Sequence, residues 1–172
     1  MITVERLNYL RQAVRVQRCH TEPVLYRQTV GEHCCSVAIL CYYLTKGKPS
    51  ANLLMAALTH DLAERRWGDI PGDVKSALGL DKLLVNYECH TLEEMGLPTE
   101  RGLMLTKDEV RTLHFADKLD LLLYCTVEHA QGNKMISSMY TKLMDIIYTK
   151  FNPLLEIERQ ALFYTNLLHK EF

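Results

Sequence analysis

TVGEHCCSVAILCYYL, residues 29–44, is the stretch from which the fold is read. Thr29 and Glu32 stand three apart ahead of an apolar run. This is the pattern of a capping box, in which the threonine hydroxyl and the glutamate carboxylate each satisfy an orphan backbone N–H at a helix start. Beyond it Val37, Leu40, Cys41 and Leu44 recur at three- and four-residue spacing, so a helix is expected from about Val30 to the breakers Gly47 and Pro49. His33 shares that stripe, and its ring is expected to point inward.

The flanks carry the same period. A first helix is marked by Leu7, Leu10 and Val14, followed by a connector from Cys19 to Gln28 that contains Pro23. Ser50 caps a further helix expected to run to about Arg66, with Leu53, Ala57, His60, Asp61 and Glu64 along one inward sector. Trp67 to Gly72 reads as a turn or loop by its glycines and proline. Helices are then expected near Lys82–Glu94, from about Asp108 to Gly132, and over about Ile136–Phe151 and Leu154–His169. No period-two strand, internal repeat or low-complexity linker interrupts them. The chain is expected to be an all-α, single-domain helical bundle over residues 1–172.

Composition narrows the function classes. A net charge of −1 argues against the basic footprint that gathers nucleic acid polymers or anionic lipid. With 48% hydrophobic residues there is enough apolar side chain for a sizeable core. The longest near-continuous apolar run, Val37 to Leu44, is too short to cross a bilayer, and the amino terminus lacks the basic start and apolar stretch of an export signal. None of the six cysteines forms a C-x-x-C pair, and reduced core thiols in a cytoplasmic protein are expected. The last helix carries a broad apolar surface, including Leu162, Phe163, Leu167 and Leu168, wider than a one-sided surface helix needs.

Chemistry enters where polar groups invade the apolar stripes. His60 and Asp61 sit inside the segment Leu58–Glu64, and Asp117 interrupts the series Val110, Leu113, Leu121, Tyr124. A lone histidine on an apolar face is often only a hydrogen-bonded core residue. An unpaired carboxylate in a low-dielectric interior costs several kcal/mol or takes up a proton. Two imidazoles and two carboxylates meeting in a helical core is a composition that a divalent metal explains.

The order His33, then His60-Asp61, then Asp117 within Phe115-Ala116-Asp117-Lys118-Leu119 resembles the HD-domain phosphohydrolases. With Arg18 upstream of His33, Glu64 after Asp61, and Gly68-Asp69-Ile70-Pro71 following, the resemblance extends to the bacterial 5′-deoxynucleotidases and phage dATP triphosphohydrolases of that superfamily. It implies an HD-type bundle with one divalent transition metal (manganese, cobalt, zinc or iron) on His33, His60, Asp61 and Asp117. It implies Glu64 and Asp69 as the acidic groups acting on water and the departing 5′-oxygen, and Arg18 and Lys75 as phosphate contacts.

Two positions depart from the pattern. His114 stands where relatives often have a lysine, and Cys19 with His20 replaces the aromatic residue that commonly follows the arginine. His20 and His114 are carried as substrate-binding candidates, and His20, Tyr26 and Trp67 as candidates to stack on a base, with core packing the bland alternative for the tyrosine and tryptophan. Arg65, Arg66, Lys75 and Lys82 are candidates to hold a longer phosphate tail. With its short spacing between Asp61 and Asp117 the chain looks more like the compact phage triphosphohydrolases, a resemblance that implies release of deoxynucleoside and triphosphate, with a 5′-deoxynucleotidase as the alternative. A nucleotide-sensing module without turnover, and a purely structural helical protein, stay open. The implied partners are a small deoxynucleotide and further copies of the chain.

Overall fold

In the computed structural model, which describes residues 1–171 without the side chains of Asp73, Asp81 and Glu171, the chain is helical and no strand occurs among the described residues. The helices are α1 (Val4–Ala13), α2 (Val30–Leu44), α3 (Ala51–Thr59), α4 (Gly72–Ala77), α5 (Asp81–Glu94), α6 (Lys107–Ala130), α7 (Ser137–Lys150) and α8 (Glu156–Glu171). None is long and apolar enough to cross a membrane.

The capping box at Thr29 forms in both directions and starts α2 where its sequence places it. A second one, Thr106 with Glu109, starts α6. The helix expected from Ser50 to Arg66 is not continuous. It begins at the Ser50 cap but stops at Thr59, and a 3₁₀ turn, Leu62–Arg66, follows. The short helix α4 also lies just past the loop and was not expected.

Three apolar clusters hold the bundle. One joins α6, α7 and α8 through Phe115, Leu122, Ile136, Ile147, Phe151 and Leu162. A second joins α2, α3 and α6 through Val37, Cys41, Leu53, Ala57, Leu113 and Ala116. A third joins α1, α2, the 3₁₀ turn and α5 through Ala13, Val30, Cys34, Leu62, Ala63 and Leu92. Gly31 permits the α1–α2 approach: a Cβ there would lie 2.9 Å from both the Cβ and the carbonyl oxygen of Val14. Four cysteines, Cys19, Cys34, Cys41 and Cys125, are buried free thiols. Cys35 is exposed and Cys89 half-buried, so core packing does not account for all six.

The connector between α1 and α2 folds into a closed loop. An isolated antiparallel bridge between Gln17 and Thr29 forms its neck, with the Arg18 N–H donating to the Gln28 carbonyl at 2.8 Å. At its far end Glu128 of α6 accepts hydrogen bonds from the backbone N–H groups of Leu25 and Tyr26, each at 2.8 Å, and from Asn133 Nδ2 at 2.7 Å. A buried carboxylate is tolerable on those terms, because every donor it meets repays part of its lost hydration.

Candidate metal centre

His33 comes from the first turn of α2, Asp117 from the middle of α6, and His60 and Asp61 from the end of α3. The break after Thr59 matters here. In an unbroken helix consecutive residues diverge by roughly 100°. Where α3 gives way to the 3₁₀ turn, His60 and Asp61 reach the same point. The seam lies between the second and third clusters, which supply Val37, Ala57 and Ala116 on one side and Val30, Cys34 and Leu62 on the other.

The four side chains converge. Nε2 of His33 lies 3.2 Å from Nε2 of His60, 3.4 Å from Asp61 Oδ2 and 3.3 Å from Asp117 Oδ1. Nε2 of His60 is 3.5 Å from Asp61 Oδ2. One donor atom each from His33, His60 and Asp117 falls within 4.8 Å of the others, so this group could hold a metal ion.

The outward-facing ring nitrogens decide what the inner ones do. His60 Nδ1 is 2.9 Å from the Ala57 carbonyl, which can only accept, so that nitrogen carries the proton. His33 Nδ1 is 2.7 Å from Asp120 Oδ2, which also accepts from Gln28 Nε2 at 3.0 Å. Both Nε2 lone pairs therefore face each other across a gap that only a proton or a cation makes favourable. Burial works against a charged His33, yet hydrogen bonds to Asp117, Asp120 and Asp61 outweigh it and push its pKa up to about 10. Asp61 and Asp117 stay well below the usual carboxylate range despite burial, held there chiefly by His60 and His33 for Asp61 and by Lys118 and His33 for Asp117. Two imidazole nitrogens and two ionised carboxylates fit a divalent transition metal.

Three cations and two acids surround this cage. Arg18, buried at the neck of the connector, donates from Nη1 to Asp61 Oδ2 at 2.7 Å, while its Nε has no acceptor. Lys118 Nζ lies 2.8 Å from Asp117 Oδ2. Glu64 is buried with Oε2 unpartnered and Oε1 4.0 Å from Lys75 Nζ. Burial, then the charges of Asp61 and Asp69, push its pKa up to about 9. Asp69 Oδ2 accepts from the Cys19 N–H at 2.7 Å, tying the Gly68–Pro71 loop to the residue after Arg18. Cys19 itself holds a left-handed φ of 51°.

On another side the cage opens into a cleft of about 220 Å³, lined by His60, Asp61 and Asp117 together with residues of α5, the 98–100 loop and α6. His114 is in that lining, 3.4 Å from Glu100.

Other sequence candidates are not brought to the cage. His20 is exposed, and its carbonyl accepts from Arg27. Tyr26 is exposed rather than in the core, with its hydroxyl on Glu32. Trp67 packs beside Tyr87 at 5.3 Å and on the third cluster. Arg65 is held by Gln12 and Arg66 by Glu94, and Lys82 is exposed. Conversely, Asp120, Gln28 and Lys118 went unremarked in the sequence. Asp120 had a signal, since it follows Asp117 by one helical turn on the same face. Gln28 had none.

No curated protein matches the chain by sequence. Solved structures do match. A cyanophage S-2L HD phosphohydrolase (DatZ), bound to dA and one catalytic Zn²⁺ ion, shares 23% identity at a TM-score of 0.74, covering 100% of this chain and 98% of that one. The PH0347 protein of Pyrococcus horikoshii shares 22% identity at 0.69, covering 98% and 99%. An HD-domain phosphohydrolase from Listeria innocua shares 20% at 0.59, covering 97% and 95%. These likenesses show the all-α HD fold. Residues 5–170 match the family described as 5′-deoxynucleotidase YfbR-like. A match over nearly the whole length, on a bundle whose seam gathers metal donors beside an arginine and two lysines, places the chain in the YfbR-like 5′-deoxynucleotidase family, as a metal-dependent phosphohydrolase of deoxynucleotides.

Proposed function

We propose that the enzyme cleaves the bond between phosphorus and the 5′-oxygen of a deoxynucleoside 5′-monophosphate, releasing deoxynucleoside and orthophosphate. The observation that carries this reading is the convergence of His33, His60, Asp61 and Asp117 beside a buried arginine with an unused donor. A divalent cation held by those four residues would supply Lewis-acid polarisation of a phosphoryl oxygen. Arg18 and Lys75 neutralise and orient the phosphate, Arg18 by its planar fork. Glu64 takes the proton of the attacking water, and Asp69 orients that water or relays the proton from Glu64 to the 5′-oxygen as the phosphorus–oxygen bond breaks. A cation in the cage offsets the Asp61 charge that raises Glu64, and so favours its basic form.

Arg65 and Arg66 rest on Gln12 and Glu94 at the surface, which supports the monophosphate reading over a longer phosphate tail. The triphosphate reading keeps one supporting observation. Lys150 lies within electrostatic reach of Lys118, Asp117 and Glu100, and so offers a second cation on that side.

The test is a panel of deoxynucleoside mono-, di- and triphosphates with Mn²⁺ or Co²⁺, with products separated by chromatography. Orthophosphate and deoxynucleoside from monophosphates are expected. Release of intact triphosphate would select the second reading, and no turnover of any member would contradict both and favour a nucleotide sensor.

The chain is read as one domain of a cytoplasmic homo-oligomer. The free cysteines suit a reducing compartment. Exposed Phe163, Tyr164, Leu167 and Leu168 on α8 suit self-association, which sedimentation would reveal as a mass above 19.9 kDa.

A further inference from the structure

The cleft beside the cage is built for something other than phosphate. Among the described residues its lining contains no lysine or arginine, and none of Arg18, Lys75 and Lys118 contributes to it. Val85, Leu92, Pro98 and Leu113 give it apolar walls, while Glu88 and Glu100 face the same space. A phosphate tail would be repelled by those carboxylates, whereas a flat heterocycle suits the walls. With the phosphate among the cations, as in the function proposed above, the nucleoside is left to the cleft.

The two acids are not equivalent. Glu100 sits at the exposed mouth and is 3.4 Å from His114. Glu88 is half-buried, and among the described residues no hydrogen bond or ion pair reaches its carboxylate. It lines the cleft together with Asp61 and Glu100, and Lys75 lies within its electrostatic reach. An ionised carboxylate only accepts hydrogen bonds. Facing a base, it gains from an exocyclic amino group and is repelled by a keto oxygen in the same place.

We propose that Glu88, assisted by Glu100, makes this site select deoxynucleotides whose base carries an amino group over the keto counterpart of the same shape. The inference rests on the phosphohydrolase reading for the placement of the phosphate. Two matched pairs test it, dAMP with dIMP and dCMP with dUMP; in each the keto member puts an oxygen where the amino group stood and gains an N–H on the neighbouring ring nitrogen, so a preference for the keto member would place the carboxylate on that N–H and overturn the proposal.

The wild-type enzyme with Mn²⁺ is expected to favour the amino member of each pair by at least about tenfold in kcat/KM, the size of one hydrogen bond to a charged group. Glu88→Gln, whose amide offers both a donor and an acceptor, is expected to bring both ratios below about threefold. Glu100→Gln is expected to lower them by a smaller factor. Equal handling of the pairs by wild type overturns the proposal. So does an equal loss on all four nucleotides in Glu88→Gln, which would assign Glu88 to the sugar. Displacement of a fluorescent nucleotide by deoxyadenosine against deoxyinosine reads the same preference without turnover. A tenfold difference there, in a protein that hydrolyses nothing, would uphold base selection while removing the enzymatic reading.

Discussion

Helix α6 carries the carboxylates of Asp117 and Glu128 about three turns apart, and they are satisfied in opposite ways. Glu128 is 1% exposed and meets only donors: two backbone N–H groups and the Asn133 amide. Burial acts to raise its pKa, but those hydrogen bonds prevail and hold it below the usual 4.5. Asp117 faces other would-be ligands and a lysine. A carboxylate closed off by protein donors has finished its work by folding. One that shares its space with the inward nitrogens of two histidines is placed to hold a cation.

If that contrast is right, changes at the two ends separate cleanly. The largest effect is expected for Asp117→Asn, which should lose metal and lower turnover on the order of a thousandfold, the rate equivalent of several kcal/mol. Metal content by mass spectrometry and kcat/KM check it. Glu64→Ala should keep the metal and lower kcat by roughly a hundredfold or more, as for removal of a general base. Unchanged hydrolysis would remove Glu64 from the chemistry. Asp120→Asn should weaken metal affinity about 10- to 100-fold by loosening the His33 ring, with the fold retained.

At the other end, Glu128→Gln should bind one metal as wild type does and lose about 1–3 kcal/mol of unfolding free energy, read from urea titration. The pH dependence sharpens this. Since the folded pKa lies below the ordinary glutamate value, the stability Glu128 contributes is present above about pH 4.5 and is lost as pH falls through the folded value. The gap in stability between wild type and Glu128→Gln should therefore narrow on acidification below pH 4.5. A gap that widened would contradict the assignment.

Much of this was legible in advance, for local reasons. The capping box at Thr29 and the three- and four-residue spacing fixed α2 and the inward face of His33, because both signals act within a single helix. The break after Thr59 was not legible. Leu58 to Glu64 keeps a helical period, and only the assembled seam shows why the chain leaves the α-helix there. The same limit hid Gln28 and Glu88, which acquire their positions through tertiary contacts with α6 and with the cleft. Arg65 and Arg66 could be seen as cations, but their partners Gln12 and Glu94 come from distant parts of the chain. Asp120 was within reach, one turn past Asp117 on the same stripe.

Four side chains from three helices are placed to enclose one divalent cation. The most direct measurement is anomalous X-ray diffraction at the absorption edge of zinc or manganese from crystals grown with that metal. A single peak is expected within bonding distance of His33 Nε2, His60 Nε2, Asp61 and Asp117. An empty cage, with the metal absent or bound only elsewhere, would contradict it.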